Sequence, residues 1–249
     1  MEDLLARRAA VHAPFRLPSP LQRYRAQPGR HRVVADLVLT ADGGPGPEGN
    51  TALVLGPEPP LRVLAQANEF FGGSEYSMVV EVGVAEPLEE ALRERGWQLD
   101  EEEPALLLSP IPAPPKAPAG LTIYPVTTET EFEQFLALSR TPRRWVPSLA
   151  AALDDNVALF IGAVAAGPVA VARLTCFGQV GEILGVVTQP VHQRQGFGRA
   201  LTWAAIAEAA RRGCTAITLT ATPSGYQLYR HLGFVPVATY RTYLPPARG

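Results

Sequence analysis

The sequence contains few cysteines, a single lysine and no long apolar run, and each scarcity excludes a class of protein. Cys176 and Cys214 are too few and too far apart for a disulfide framework or a metal site, so we expect no metal and a reducing, cytoplasmic location. No apolar stretch approaches the roughly 18 residues that span a membrane. Glu2 and Asp3, near the start, argue against a signal peptide. The formal charge of −2 lacks the basic excess typical of nucleic-acid binding.

The scarcity of lysine is also weak evidence about the genome that encodes the protein. Lys116 is the only lysine in a chain rich in alanine and proline. We attribute this bias to the coding of a bacterial genome, and it says little about function.

Proline marks the clearest internal boundary. The segment 109–119, SPIPAPPKAPA, has five prolines in eleven residues and can form neither a helix nor a central strand. We therefore predict an extended linker there, with one domain over 1–118 and a second over 119–249.

The second half of the chain has the pattern of a mixed α/β (α+β) fold. Apolar runs separated by glycine predict successive antiparallel strands, followed by strand, loop, helix and strand. This order differs from the repeated βαβ units of a Rossmann fold. The predicted strands lie at 121–125, 157–164, 168–177, 181–188, 216–221 and 235–244. The predicted helices lie at 127–140, 148–153, 199–212 and 225–232.

The first half is patterned less clearly, but its end resembles the end of the chain. Strands are predicted at 33–40, 52–55 and 77–84, and helices at 61–70 and 87–95. The segments ALRERGW (91–97) and LYRHLGF (228–234) align as a helix, a glycine and an aromatic residue that opens a strand. This similarity indicates an internal duplication. The alternative is that helix, glycine and aromatic residue form a common ending for any helix.

A glycine-rich bend at 193–199, QRQGFGR, leads directly into the helix predicted at 199–212. A Walker A loop would need Lys and then Ser or Thr after its last glycine, where Arg199 and Ala200 stand. A dinucleotide fingerprint would need Gly or Ala where Leu201 stands. Glycines at such a position let consecutive N–H groups turn inward as an anion-binding nest, and the helix dipole adds positive charge at the same place.

The pattern Gln193-x-x-Gly196-x-Gly198 resembles the pyrophosphate-binding loop of the GNAT superfamily, the acyl-CoA-dependent N-acetyltransferases. EILGVVTQP (182–190) resembles the strand that precedes this loop in the family. TLTATPSGYQLYRHLGF resembles the later strand and the Tyr-x-x-x-Gly-Phe ending, here Tyr229, Gly233 and Phe234. The resemblance covers about 121–244 and implies a GNAT-like domain, a mixed and mostly antiparallel twisted sheet flanked by helices.

The resemblance further implies that the first half is a degenerate copy of the same fold. It has no Gln-x-x-Gly-x-Gly loop, and Leu92 stands where the aligned residue is Tyr229. Such a copy is expected not to bind the cofactor. We expect it to have a supporting role, through packing or by walling the acceptor pocket.

The cofactor implied by the family is acetyl-CoA, and the resemblance assigns it a set of binding residues. The strand residues would offer backbone hydrogen bonds to the pantetheine arm and thioester carbonyl, although valines are also ordinary core residues. The loop amides, chiefly those of Arg194 through Arg199, would bind the diphosphate. Arg194 and Arg199 would add charge or simply be solvated. The predicted cofactor-binding residues are Val186, Val187, Thr188, Gln193, Arg194, Gln195, Gly196, Phe197, Gly198 and Arg199.

Two residues are candidates for catalysis. Tyr229 occupies the family position of the general acid, and its hydroxyl would protonate the leaving thiolate. The alternative is a core tyrosine. Glu182 precedes Gly198 by sixteen residues, which resembles the placement of the base glutamate in the histone-acetylating branch. Strand alternation predicts Glu182, Leu184, Val186 and Thr188 on one face. An exposed charge at the start of a strand, with water as the base, is the alternative.

The acceptor is expected to be a primary amine, on a small molecule, an amino-acid-like compound or a peptide N-terminus. Its specificity is assigned to TPRRWVPS (141–148) and to the closing strands, and Trp145 would stack on the acceptor or cover the core. His192 abuts the loop, as a cofactor contact or a surface residue. The leading interpretation is an N-acetyltransferase that acts through a ternary complex. A non-catalytic acyl-CoA sensor or scaffold is the rival, and a purely structural tandem fold is third. The sequence leaves open whether the chain forms a homodimer.

Overall fold

A computed structural model describes residues 31–41, 46–113, 120–139, 149–153 and 156–246. The described residues fall into two compact units. We call 106–235 the C-terminal unit, and 31–105 together with 236–246 the N-terminal unit. Among the described residues, no helix has the length and apolar character needed to span a membrane.

The strands and helices follow the chain in the order that the sequence patterns indicate. The strands are β1 (His31–Val34), β2 (Leu37–Ala41), β3 (Asn50–Val54), β4 (Ser77–Glu81), β5 (Gln98–Leu108), β6 (Thr122–Pro125), β7 (Val157–Val164), β8 (Gly167–Phe177), β9 (Val180–Thr188), β10 (Ala216–Thr220) and β11 (Val235–Leu244). The helices are α1 (Pro60–Phe71), α2 (Glu86–Glu94), α3 (Glu129–Ser139), α4 (Leu149–Ala152), α5 (Phe197–Arg211) and α6 (Pro223–His231).

In the C-terminal unit, β6, β7, β8 and β9 pair in sequence order and antiparallel, and β10 joins β9 in parallel. Alternate residues of β7 point to opposite faces because the side-chain period of a strand is two. Ala158 and Phe160 lie in the core that also contains Leu201 and Ile206 of α5. Leu159 and Ile161 lie in the core formed with α3. The sheet is therefore covered on both faces, which explains why β7 has almost no polar residue.

Helix α3 begins with a capping box that its sequence, Thr128-x-x-Glu131, encodes. The Glu131 N–H donates to Thr128 Oγ1 at 3.3 Å, and the Thr128 N–H donates to Glu131 Oε2 at 3.0 Å. Two N–H groups that a helix start would leave unpaired are thus satisfied. The Thr127 N–H also donates to Glu131 Oε2, at 2.8 Å, and this bond, followed by that from Thr128, holds the pKa of Glu131 below its usual range.

The N-terminal unit has the same sequence of pairings in its own strands. β1, β2 and β3 pair antiparallel, and β3 pairs with β4 in parallel, with α1 between them. The predicted strand at 33–40 is wrong in one respect, because it is two strands joined by a tight turn. Ala35 adopts a left-handed φ of +51° in that turn, which no glycine or asparagine signals in the sequence.

The final strand of the chain, β11, belongs to the N-terminal unit. Tyr240 through Tyr243 pair antiparallel with Glu81 through Met78 of β4. The compact units therefore differ from the predicted domains 1–118 and 119–249 at two places: β5 is divided after Ala105, and residues 236–246 join the first unit. The division into two duplicated domains stays a prediction. Residues 114–119 of the proposed linker lie outside the described residues.

A buried carboxylate fixes β11 to the rest of its unit. Glu89 on α2 is 3 % exposed, and it accepts hydrogen bonds from Tyr243 Oη at 2.8 Å and from Arg241 Nη1 at 3.2 Å. Arg241 Nε also donates to Glu102 Oε2 at 2.6 Å. A carboxylate removed from water needs such partners, because an unpaired buried charge is strongly destabilising.

We predict that Arg241→Met lowers the free energy of unfolding by about 2–3 kcal/mol, because Glu89 would keep only one hydrogen-bond donor. Arg211→Met is the matched control. It removes a largely exposed arginine from Glu208, which keeps Arg212, and it should cost less than about 0.5 kcal/mol. Urea unfolding of the full chain measures both variants. Equal losses would show that the Glu89 cluster adds nothing beyond an exposed ion pair.

Candidate functional site

The glycine-rich loop forms one wall of a pocket of about 530 Å³ in the C-terminal unit. This volume is within the range of small-molecule sites. Three parts of the fold contribute its lining: the end of β9, the loop with the first turn of α5, and the first two turns of α6. The lining residues are Val186, Thr188, His192, Gln193, Arg194, Gly196, Phe197, Gly198, Arg199, Thr222, Ser224, Gly225, Gln227, Leu228, Tyr229 and His231.

Left-handed backbone at two positions shapes the loop. A 3₁₀ turn, Pro190–His192, leads from β9 into Gln193, and Arg194 and Gly196 then adopt φ values of +64° and +82°. Gly196 is the N-cap residue of α5. An L-residue with a Cβ pays a steric penalty at such φ values, so glycine suits the N-cap position here.

The loop leaves a row of N–H groups without partners in the chain. The last loop amide with a backbone acceptor is that of Gln193, which donates to Pro190 O, and the first helical bond runs from Ala200 to Gly196. Among the described residues, the amides of 194–199 donate to no acceptor, and no side chain caps α5. Unpaired N–H groups at the positive end of a helix dipole form a site for an anion.

The side chain of Gln193 makes a hydrogen bond within the chain. Its Nε2 donates to the carbonyl of Thr188 at 3.2 Å. The side chain therefore ties the loop to the end of β9, and the role of Gln193 in binding the cofactor stays a prediction. This hydrogen bond helps explain why the motif begins three residues before its first glycine.

The charge of the pocket lining also favours an anion. Arg194 and Arg199 line it, together with His192 and His231, whereas the lining contains no Asp or Glu. The ring of His192 lies 6.4 Å from that of Phe197, so the imidazole packs beside the start of α5. The residues present are thus suited to a diphosphate such as that of coenzyme A. Within the described residues, no group of His, Cys, Asp and Glu could hold a metal ion.

Strands β9 and β10 separate next to this pocket. Their pairing covers three residue pairs and ends with Glu182 opposite Thr218. β9 continues to Thr188 and remains paired with β8 on its other side. Beyond Glu182, no strand of the described residues pairs with the edge of β9 that faces β10, so another extended chain could pair there.

A β-bulge at Gly185 corrects one prediction. Gly185 has φ +59°, and the β8–β9 register shifts between Val171 and Arg173. The extra residue reverses the alternation of side chains along the strand. Val186 consequently packs on the core beside α5, whereas Val187 packs on the core beside α3. The expectation that Glu182, Leu184, Val186 and Thr188 share one face is wrong.

Tyr229 lines the same pocket as the loop. It is 9 % exposed, and its ring makes an edge contact with Phe234, with centroids 5.9 Å apart. Burial raises the pKa of Tyr229 to about 12. The hydroxyl is therefore protonated throughout the pH range in which proteins are stable, and it can act as a hydrogen-bond donor to a group in the pocket.

Glu182 lies at the point where β9 and β10 separate, but it does not line the pocket. The side chains of its neighbour Ile183 and of Val186 face α5, so Glu182 faces the opposite side of the sheet. Glu182 is 9 % exposed, and burial raises its pKa to about 7, with Arg173 opposing the rise. An exposed charge at a strand start, the alternative interpretation, does not describe this carboxyl.

The structure thus brings together most of the predicted residues. The loop, Val186, Thr188 and Tyr229 meet at one pocket, whereas Gln195, Val187 and Glu182 do not line it. Sequence reasoning placed Tyr229 of α6 at the site, but it missed the start of that helix, with Thr222, Ser224 and Gly225. Their signal was present, because Thr222 before Pro223 is a typical N-cap pair, and Thr222 Oγ1 accepts from the Gly225 N–H at 3.3 Å. Residues 141–148, including Trp145, lie outside the described residues.

The corresponding loop of the N-terminal unit lacks the donors of an anion site. It joins β3 to α1 through residues 55–59, just as the glycine-rich loop joins β9 to α5. Pro57, Pro59 and Pro60 have no N–H, and Glu58 adds a negative charge. By contrast, the two helix ends that align in the sequence, at 91–97 and 228–234, make the same backbone hydrogen bond. Trp97 N–H donates to Leu92 O, and Phe234 N–H donates to Tyr229 O, at 3.0 and 3.1 Å.

Residues 113–234 match the model of the acetyltransferase (GNAT) family. Residues 113–234 are therefore a domain of the acetyltransferase (GNAT) type, and the resemblance of the glycine-rich loop is confirmed at the level of the family. The family is one of acyltransferases.

Solved structures show the same fold over nearly the whole chain. A GCN5-related N-acetyltransferase from Kribbella flavida has a TM-score of 0.73 and 24 % identity over 96 % of each chain. A GCN5-related N-acetyltransferase-like protein from Streptococcus suis has a TM-score of 0.62 and 14 % identity, over 98 % of this chain and 99 % of its own. A tandem GNAT protein from the clavulanic acid biosynthesis pathway has a TM-score of 0.59 and 14 % identity, over 83 % and 77 %. No curated protein matches the sequence.

We predict that Gly196→Ala weakens coenzyme A binding by about 5- to 30-fold, because an alanine Cβ at a left-handed φ costs roughly 1–2 kcal/mol. Gly198→Ala is the matched control. A Cβ there would meet no atom closer than Thr188 Oγ1 at 3.6 Å, so binding should change much less. Isothermal titration calorimetry measures both affinities. Equal effects in the two variants would mean that the backbone conformation at Gly196 does not control the anion site.

Proposed function

We propose that the protein is an N-acetyltransferase that transfers the acetyl group of acetyl-CoA to a primary amine by direct attack in a ternary complex. The observation that carries the proposal is the row of unpaired amides at 194–199, which lines a pocket rich in positive charge and next to a separated strand edge. These amides would hold the diphosphate. The loop would in turn be held by Gln193 on the end of β9.

The open edge of β9 suits the rest of the cofactor. Backbone groups of Val186, Val187 and Thr188 would pair with the pantetheine arm as a neighbouring strand does, which orients the thioester along β9. Val187 contributes through its backbone alone, because its side chain packs on the other face. A thioester is already activated, so holding both reactants in line supplies much of the catalysis.

Tyr229 would stabilise the leaving thiolate. A phenol with a pKa of about 12 gives up its proton to the thiolate of a thiol with a pKa near 8.5 only at a cost of roughly 5 kcal/mol. The hydroxyl therefore acts by donating a hydrogen bond to the sulfur as negative charge develops there, and the departing thiolate takes its proton from water. A buried donor is more effective than one in water, because the surrounding dielectric is low.

Glu182 is the proposed general base, acting from the opposite face of the sheet at the point where β9 and β10 part. With a pKa of about 7, the carboxyl is ionised above neutral pH and is a stronger base there than an exposed glutamate. A water molecule between the carboxylate and the amine would carry the proton. The acceptor would approach through the gap between the two strands.

We expect Tyr229→Phe to keep the affinity for coenzyme A and to lower turnover by about 10²-fold, because only the hydroxyl is lost. Tyr226→Phe is the matched control, since Tyr226 lies on the same helix and packs on the core without lining the pocket. Release of free thiol from acetyl-CoA with a panel of amines measures turnover. Unchanged turnover in Tyr229→Phe would remove this residue from the mechanism. Binding of acetyl-CoA without thiol release for any amine would favour the sensor.

We expect the rate to fall as pH decreases through about 7, because protonation of Glu182 removes the base. Glu182→Gln should be slower at pH 8 and should lose this pH dependence, measured with the same thiol assay. A wild-type profile that is flat between pH 6 and 8 would exclude Glu182 as the base.

The raised pKa of Glu182 can also be tested through the stability of the protein, without an activity assay. The folded protein binds the Glu182 proton more tightly than the unfolded chain, so the stability contributed by the neutral carboxyl is present below pH 4.5 and is lost as pH rises to about 7. Relative to wild type, Glu182→Gln should therefore gain up to roughly 3 kcal/mol over this interval. Urea unfolding at several pH values tests this, and an unchanged difference would mean that the pKa of Glu182 is not raised.

A further inference from the structure

The N-terminal unit contains a second pocket, of about 350 Å³, which the proposed function does not use. It lies where α1 ends, and its walls include Phe71, Tyr76 and Trp97 with Pro245 and Pro246, which follow β11. The volume suits only a small ligand.

Aromatic rings form the main wall of this pocket. Tyr76 stacks on Phe71 with ring centroids 4.5 Å apart and an angle of 15°, and Trp97 lies against Tyr76 at 5.3 Å and 56°. The Tyr76 hydroxyl donates to Asn68 Oδ1 at 3.0 Å, and burial raises the pKa of Tyr76 to about 12. The wall is therefore held rigidly and stays neutral. Aromatic faces carry partial negative charge, and they attract cations.

The backbone adds negative potential at the same place. Helix α1 ends at Phe71, and the left-handed Gly72 turns the chain into Gly73 and Ser74, which line the pocket. The last turn of α1 has no basic residue. The C-terminal end of a helix has a partial negative charge of about half a unit, and it favours cations.

The charge of the residues that line the pocket also favours a cation. Among the described residues that line the pocket, Glu75 is the single charged one, and none is Lys, Arg or His. Three features, the aromatic rings, the helix end and the carboxylate, thus favour positive charge. The pocket at 193–199 has the reverse arrangement, with a helix N-terminus and arginines.

We propose that this pocket binds a small organic ammonium ion, with its cationic head against Trp97 and near Glu75. Pro245 and Pro246 would cover its apolar substituents. This site is separate from the proposed acyl-transfer site, and the inference holds whether or not the protein is an acetyltransferase.

The test uses choline and 3,3-dimethyl-1-butanol, which have nearly the same shape but differ in charge. Titration calorimetry with the full-length protein, with and without saturating coenzyme A, should show choline binding at least about tenfold tighter than the alcohol. The affinity for choline should be the same in the presence of coenzyme A. Equal affinities for the two compounds, no saturable binding of choline, or displacement of choline by coenzyme A would each overturn the proposal.

Substitutions of residues that line the pocket test whether choline binds there. Glu75→Gln and Trp97→Leu should each weaken choline binding by about tenfold, and Glu75→Gln should leave the alcohol unaffected. Glu69→Gln is the matched control, because Glu69 lies on α1, pairs with Arg32 and does not line the pocket. If Trp97→Leu fails to fold, Glu75→Gln alone decides. An unchanged affinity of Glu75→Gln for choline, or an equal loss in Glu69→Gln, would contradict the assignment.

Discussion

The candidate site depends on one backbone constraint, the left-handed conformation of Gly196 at the start of α5. A side-chain cap would satisfy the first amides of the helix internally, but glycine has no side chain with which to do so. The helix therefore begins with N–H groups that are paired with nothing in the described chain, and it presents them to a pocket. The packing of α5 on the sheet, through Leu201 and Ile206, supplies the stability that such a helix start lacks.

Much of the C-terminal unit could be predicted from the sequence, because its signals are local. Apolar runs bounded by glycine gave the strands, and the glycine-rich bend indicated both the helix start and its chemistry. The bulge at Gly185 could not be predicted, since an isolated glycine inside a strand is compatible with a regular strand as well as with a bulge. Because the bulge was missed, Val186 was assigned to the wrong face of the sheet. Glu182 was consequently grouped with a residue that lies on the opposite face.

Strand pairings between segments that are distant in the sequence could not be predicted either. The apolar pattern of β11 shows that it is a strand but does not specify its neighbour, so its pairing with β4 could not be anticipated. The turn at Ala35 was missed for a related reason, because it contains neither glycine nor asparagine, and Asp36 is its single typical turn residue. That Thr222, Ser224 and Gly225 join Tyr229 in the pocket required knowing that the starts of α5 and α6 lie together, which follows from tertiary structure.

The placement of β11 has a consequence for biosynthesis. Glu89 and Arg241 are 152 positions apart, and the segment between them contains the whole of 106–235. During translation, the N-terminal unit therefore cannot be completed until β11 has left the ribosome. The edge of β4 with which β11 pairs stays unpaired until then. An exposed strand edge invites association with other nascent chains. Chaperones that shield such edges would act on the N-terminal unit, whereas the C-terminal unit can fold before β11 is made.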